Sequence, residues 1–579
     1  MEFLQRRLQA VPATAWSVGF GVFVALWLYG WRAIDPRSHG WLLHGDAGQH
    51  FLGASFFLSQ AWHWPPGRIE GFGYTPTSVV FADAIPLLAL PLKLLGWPAQ
   101  WQYLGAWMAA CHVLAAWQGA RLVQALGAPP AAAALGGCFF AVMPTVLARA
   151  YGHEALMGQF IVLAAIVQVL RPWSARMWLL VAGLAVGVHA YLAFMAGVLW
   201  LTALGSAVRN GELGRAKALR HAAAMAALVL LLAFTAGYFG TASDVSAGGY
   251  GFFSANLTTW FNPTIYRDAL AEPVLRAHAR DWSAFLPGWH LASGGQWEGF
   301  AYLGLGAIVA LLAAACIALA RRELPSRRVR VLAGVCVAMA CVAVSHQVTF
   351  GTLHLLDIPL AGPLPQLLGV VRASGRFIWP LTFLAMAAAI AGVGRMRFGR
   401  ALLAALLVLQ LADLAPKLRE LQDRFRNGAP EVERAAQSPL WQELLANCPH
   451  LVLVTDAMPD HGWIVPALEA ARARASFAPA PVARFTGAMV NELQRRSADV
   501  LAGVWREDTV YVLFPPLPGG RNAAGVLDAL PVGLVHAPAD GRELVFAPRC
   551  APAQPTASSS TSNFSVAFGG MTPPAPRAP

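Results

Sequence analysis

The sequence predicts a polytopic α-helical membrane protein with a C-terminal soluble α/β domain, and three observations carry that prediction. Of its 579 residues, 57% are hydrophobic and only 12% are charged, with a mean hydropathy of +0.51. Apolar runs of about 20 residues, the length that crosses a bilayer, recur over the first two-thirds of the chain. Past residue 416 the hydropathy falls and short strand-like runs replace them.

Taken in order, the N-terminus has a basic start, Arg6 and Arg7, and an apolar run near 14–34. That run is longer than the apolar core of a signal peptide and no convincing small-residue cleavage site follows it, so a retained first span is expected. Further runs lie near 100–123, 128–148, 155–170, 177–189, 191–207, 222–240, 300–320, 330–346, 373–394 and 400–416. About eleven spans are expected on that pattern. The stretch 79–96 is apolar but holds Asp83, Lys93 and two prolines, and is expected to form a juxtamembrane helix on the outer face.

Charge counting supports that choice. If 79–96 does not cross, Arg171 and Arg176, the group Arg209, Arg215, Lys217 and Arg220, the run RRELPSRRVR at 321–330, and Arg395, Arg397 and Arg400 all fall on the cytoplasmic side, as the positive-inside tendency requires. A crossing there would turn the clusters outward. The net charge of +12 is thereby explained by short cytoplasmic loops, and nucleic-acid binding is not expected.

The outer face then receives the first loop, 35–99, a large loop, 241–299, the segment 347–372, and everything after 416. Loops of this length on one side suggest a site there. Beyond 416, LVLVTD at 451–456, TVYVLFP at 509–515, GLVHAP at 533–538 and ELVFAP at 543–548 read as strands, with helices near 463–474 and 488–504 between the first two. Residues 417–550 are thus expected to be a periplasmic α/β domain, and 551–579, rich in Pro, Ala, Ser and Thr, a disordered tail. Cys448 and Cys550 bracket that domain and are a candidate disulfide for an oxidising compartment. No CxxC or HExxH pattern marks a structural zinc site or a zincin.

The first candidate functional residue is Asp46, in HGDAGQH at 44–50, directly after the first long apolar run. A carboxylate at a bilayer surface activates a hydroxyl or holds a metal; it also serves as an ordinary N-cap. His50 lies one turn later, close enough to hydrogen-bond Asp46 or a ligand or simply to meet solvent, and Gln49 beside it is placed to bind substrate. Asp83 sits among apolar neighbours where an unpaired carboxylate is costly, unless it caps the helix before Pro86. His153 and Glu154 are expected at the outer end of the third span, facing the same cavity as Asp46 or merely opening a helix. Arg372 and Arg376, in VVRASGRFIWP, are expected one turn apart on one helix face, where two guanidiniums clamp a lipid phosphate or snorkel to headgroups.

A first span, a large outer loop with an acid near its start, a proline-containing juxtamembrane helix and many further spans resemble the GT-C superfamily of polyprenyl-phosphate-sugar-dependent integral-membrane glycosyltransferases. More locally, GDAGQHFLGASFF at 45–57, GYTPTSVVFADAIPLLALPLKLL at 73–95 and RAYGHEALMGQF at 149–160 resemble a family of uncharacterised bacterial polytopic membrane proteins. The likeness covers about residues 14–415. It implies transfer of a hexosyl or pentosyl group from a polyprenyl-phosphate donor to an envelope glycan, lipid or protein acceptor at the periplasmic face of the bacterial inner membrane. By the same resemblance Asp46 takes the role of general base. Asp46 is followed by Ala, Gly and Gln, so the first loop lacks the paired acids of metal-dependent members. A metal-free mechanism is therefore preferred over a divalent metal, with a lipid-linked sugar as co-substrate and no certain cofactor; Asp83, on the juxtamembrane helix, is still able to meet Asp46 in space.

Two other classes remain. A lipid-linked-glycan transporter would place paired charges in mid-span and often show repeated halves; no repeat is visible, and His112 and His189 are the main mid-span exceptions, read as packed hydrogen-bonding residues. A non-catalytic envelope-assembly factor would tolerate loss of Asp46.

Overall fold

The computed structural model describes residues 13–239, 249–265, 281–321, 324–427, 438–457, 462–483 and 487–551. Arg6, Arg7 and, but for its first residue, the expected disordered tail 551–579 lie outside them. A helix forms in each of the apolar runs named above. Six helices among the described residues are long and apolar enough to cross a membrane: Thr14–Ile34, Pro130–Arg149, Ala190–Arg209, Arg215–Ala236, Ser374–Gly394 and Gly399–Asn427. Glu154–Leu170, Ala175–Val188 and Leu305–Ala320 are apolar but shorter. The chain is a helical protein built to sit in a membrane.

Four helices position the site. Helix α1, Ala13–Ile34, leads into the first loop, and α2, Gly45–Ser59, opens it. Helix α3, Pro86–Leu94, is the expected non-crossing element; nine residues rise only about 14 Å, half a hydrocarbon core. Its Lys93 donates to the carbonyls of Phe57 and Ala61 at 2.7 and 3.1 Å, closing the C-terminal end of α2 as cations at such ends do. Helix α4, Leu104–Ala125, packs against α1 so closely that a Cβ on Gly105 would stand 1.8 Å from the Ala33 carbonyl oxygen.

The expected domain boundary at 416 is corrected. Gly399–Asn427 is one helix with Pro416 inside it. The hydropathy falls there because the helix continues with Lys417, Glu420 and Arg424, not because it ends. This polar extension grips the first loop and the segment after the third apolar run: Arg424 donates to His44 at 2.7 Å, and Tyr151 donates to Glu420 at 2.8 Å.

Beyond the helices, two hairpins come first: β1, Arg68–Ile69, with β2, Thr77–Ser78; and β3, Gln347–Phe350, with β4, Leu353–Asp357, which carries an irregular register at Val348/Thr349. A five-stranded sheet follows, built from β5 (His450–Val454), β6 (Ser476–Ala478), β7 (Thr509–Leu513), β8 (Val535–Ala539) and β9 (Arg542–Phe546) in the order β6-β5-β7-β9-β8. The first three are parallel and β9 and β8 run antiparallel. Every residue of β7 is buried, the pattern of a strand covered on both faces. Cys448 and Cys550 are joined by a disulfide. Four of the strands and the two helices, Ile464–Ala473 and Gly487–Leu501, stand where the sequence put them; β6 was not anticipated.

The sheet is seated on the first loop. Gly73 and Phe477 exchange backbone bonds, Gly73 N–H to the Phe477 carbonyl and Phe477 N–H to that of Gly71, both at 2.8 Å. A Cβ on Gly48 would press against the Ile464 side chain at 2.8 Å, so α2 is buttressed from behind by the helix Ile464–Ala473. The first loop therefore rests between the helical bundle and the sheet, as a fixed platform.

Candidate functional site

Helix α2 begins one residue before Asp46. Its N-cap is His44, which makes no side-chain capping bond, so Asp46 is a first-turn acid whose carboxylate is left for other work. It reaches His153 Nε2 at 3.4 Å. The approach depends on Gly152, at φ +141, where a Cβ would stand 3.3 Å from that of Asp46. Glycine alone is at ease in such a backbone, and it lets the segment RAYGHE pass directly over the start of α2.

His50, one turn along α2, is buried and does not turn back to Asp46. Its Nδ1 meets Glu154 Oε2 at 2.5 Å and its Nε2 faces Asp83 Oδ2 at 3.3 Å. Glu154 is held at the start of a short 3-10 helix, Glu154–Met157, with its carbonyl accepting from Trp107 Nε1 at 2.7 Å. Its Oε1 is buried without a hydrogen-bond partner. Asp83 is not a cap either, because the N-cap of α3 is Ile85. Asp83 and Ile85 both adopt positive φ, +54 and +52, a left-handed conformation that costs a non-glycine residue roughly 1 kcal/mol or more. The strained turn aims the Asp83 carboxylate at His50 and, at 3.8 Å, at His189 Nε2.

His189 stands at the break between Ala175–Val188 and Ala190–Arg209, accepting the Tyr191 N–H on Nδ1 at 3.1 Å. Its ring proton therefore sits on Nε2, toward Asp83. A residue expected to pack in mid-span is thus part of the site, at the gap between the apolar runs 177–189 and 191–207.

Behind His153 lies a second charged group that the sequence did not assemble. Glu298, in the 3-10 helix Gln296–Gly299, accepts from Arg149 Nη1 at 2.8 Å and from Arg376 Nε at 2.8 Å. All three side chains are buried. Close approach of two glycines makes this contact: a Cβ on Gly375 would stand 2.6 Å from the Gly299 Cα. Trp297 beside Glu298 stacks on His153, with ring centroids 5.6 Å apart and planes at 3°. His153 is thereby fixed between an acid and an indole, and its Nδ1 is buried without a hydrogen-bond partner.

The expected clamp of Arg372 and Arg376 does not form. Residues 374–378 are a 3-10 helix and Arg372 lies outside it, so a four-residue spacing does not put the two on one face. Arg376 is buried on Glu298 and lies over the Tyr191 ring, whereas Arg372 is exposed over Phe253, 4.4 Å from its centroid. Gln49 is half-buried in α2.

Electrostatics divide the acids. Burial pushes the Asp46 carboxyl upward, with Glu154, Asp83 and Glu298 adding to the push and His50 opposing it; the group is still 54% exposed, which keeps the effect modest. Burial alone raises Asp83 too, but His189, His50 and His153 together hold it well below the ordinary range. Burial lowers His50, and the Asp83 and Glu154 carboxylates more than reverse this. His153 is lowered to about 3 by burial, and the Arg376 and Arg149 charges contribute. At neutral pH the site thus presents a half-open carboxylate beside a neutral imidazole. That pair can accept a proton from a bound hydroxyl.

Residues 18–415 match a family described as a domain of unknown function, DUF6311. The chain belongs to the DUF6311 family. The match takes in Asp46, His50, Asp83, Arg149, His153, Glu154, His189, Glu298, Arg372 and Arg376, and stops short of the five-stranded sheet. No curated protein matches the chain.

Proposed function

We propose that this chain is an integral-membrane glycosyltransferase that moves a sugar from a polyprenyl-phosphate donor to an envelope glycan, lipid or protein acceptor. One observation carries the reading. Among the clustered acids Asp46 alone keeps an open carboxyl, 54% exposed, while the side chains of Asp83, Glu154 and Glu298 are at 15, 0 and 6% and engaged with histidines or arginines. Asp46 takes the acceptor's proton as its oxygen attacks the anomeric carbon. The bond to the phosphate oxygen breaks, the polyprenyl phosphate leaves with the electron pair, and the configuration inverts. His153 orients the base, and exposed Arg372 is the residue left to meet a lipid phosphate.

The reading also takes about eleven crossings, with the basic clusters inside, the site at the periplasmic face of a bacterial inner membrane, and residues after Asn427 as a periplasmic α/β domain. Its support is the GT-C-like layout together with a carboxylate free for base work. Asp46→Asn should abolish assembly of the envelope glycan while membrane abundance stays normal. Unchanged glycan would remove the base role.

A further inference from the structure

We propose that His50, Asp83 and His153 bind a divalent transition-metal ion, with Glu154 as the carboxylate that orients His50. This does not rest on the glycosyl-transfer reading. One ligand atom from each of the three residues lies within 4.8 Å of the others. Around an ion bound at about 2.0–2.2 Å, ligand atoms sit roughly 3–4 Å apart, so small rotations of three side chains complete the set.

The surroundings are those of a metal centre rather than of a chance cluster. Glu154 Oε2 sits 2.5 Å from His50 Nδ1. A carboxylate there holds the ring proton on Nδ1 and turns the Nε2 lone pair to the ion, the usual support of a metal-bound histidine. Nε2 and Asp83 Oδ2 stand 3.3 Å apart, so an ion bound between them takes the place of the ring proton that otherwise joins them. His189, with its proton on Nε2 by virtue of the Tyr191 bond, is a donor toward Asp83 and steadies the carboxylate from the far side. Asp46 also approaches His153, at 3.4 Å.

Charge points the same way. Arg149 and Arg376 are both spent on Glu298. The ion pairs of Asp46, Asp83 and Glu154 among the described residues are all with histidines. Three acids without a fixed cation, a buried Glu154 Oε1 and a His153 Nδ1 that both lack partners describe a deficit of positive charge. Two nitrogens and one carboxylate oxygen suit zinc, cobalt, iron or manganese better than magnesium or calcium. Three protein ligands leave a coordination position open, and Asp46, half-exposed, stands beside the His153 ligand. A phosphate or hydroxyl oxygen of a substrate fits there.

The test uses the full chain purified in detergent, stripped with chelator, incubated with zinc, cobalt or manganese salts and desalted. Elemental analysis should find about one ion per chain, and Co²⁺ loading should give visible ligand-field bands. Asp83→Asn and His153→Ala should each lower the affinity at least tenfold, while Arg372→Ala leaves it unchanged. Glu154→Gln, which keeps the side-chain shape, should weaken binding about tenfold and guards against a folding artefact, as does a monodisperse elution profile for every variant. Asp46→Asn should keep the metal while losing glycan assembly, which separates failure of this site from failure of the proposed activity. Folded wild-type protein that retains less than about a tenth of an ion per chain, or equal retention by all variants, would overturn the metal site and leave His50 as an imidazolium shared by two carboxylates.

Discussion

Replacing each of Arg372 and Arg376 by alanine should give very different losses of stability, although the two stand four residues apart in one short segment. Arg376→Ala removes a buried ion pair with Glu298. Breaking a buried pair from one side costs about 3–5 kcal/mol, because the remaining charge is left in a poor solvent. Arg149 still faces Glu298, which places the expected cost near 3 kcal/mol. Loss of the contact over the Tyr191 ring, 4.6 Å from its centroid, adds about 0.5–2 kcal/mol. Arg372→Ala removes an exposed guanidinium from Phe253, worth about 0.5–1 kcal/mol. The two variants should differ by roughly 2 kcal/mol or more, about 2 °C in an apparent melting temperature followed by intrinsic fluorescence in detergent.

Acid gives an independent check on the same group. The two arginines hold Glu298 below its ordinary value of 4.5 against the upward push of burial. A group whose folded pKa is depressed contributes stability that is full above its unfolded pKa and is lost as pH falls through the folded one. Wild-type protein should therefore lose stability from about pH 4.5 downward, and Glu298→Gln, less stable at pH 7, should show a flatter acid limb. Equal melting temperatures for Arg372→Ala and Arg376→Ala, or identical acid limbs for wild type and Glu298→Gln, would refute the account of Glu298 as a buried anchor.

Helix packing, topology and the disulfide offer simpler tests. Gly105→Ala should lower the melting temperature sharply or block folding, because its Cβ would meet the Ala33 carbonyl oxygen at 1.8 Å, whereas Gly197→Ala, with nothing within 4 Å, should be neutral; equal effects would count against the α1–α4 contact. Nonreducing peptide mapping should recover Cys448 joined to Cys550, and replacing both by serine should cost about 2–4 kcal/mol for a link that closes a 102-residue separation. Free thiols at both positions would remove that link. Reporter fusions after residues 98 and 325 should report outside and inside respectively, and an outside signal at 325 would overturn the proposed order of crossings.

How much of this was legible in the sequence depends on how far each contact reaches along the chain. Apolar runs and strand alternation are local patterns, and they located the helices, including the short one within 79–96, and four strands of the sheet. Strand β6, Ser476–Ala478, is three residues with a single large side chain, too short for any alternation to show. The boundary at 416 failed because hydropathy records the surroundings of a helix, not its end. The Arg372 and Arg376 clamp failed because a four-residue spacing brings side chains together only in an α-helix, and that segment is not one.

The site itself divides along the same line. Asp46, Asp83, His153 and Glu154 stood out as polar residues in apolar company, a one-dimensional signal. Glu298 did not, since it lies in a loop full of polar residues and acquires its meaning from Arg149 and Arg376, 149 and 78 positions away. The same holds for His50: adjacency suggested Asp46 as its partner, but a helix that buries His50 turns it toward Glu154 and Asp83, from two other segments. The absence of a second acid beside Asp46 argued in sequence for chemistry without a metal. In space Asp83, which the sequence left able to meet Asp46, faces His50 at 3.3 Å while Asp46 faces His153 at 3.4 Å. Asp83 comes from the far end of the same loop through a strained turn, so the missing neighbour in HGDAGQH is a fact about the chain's order and not about the composition of the site.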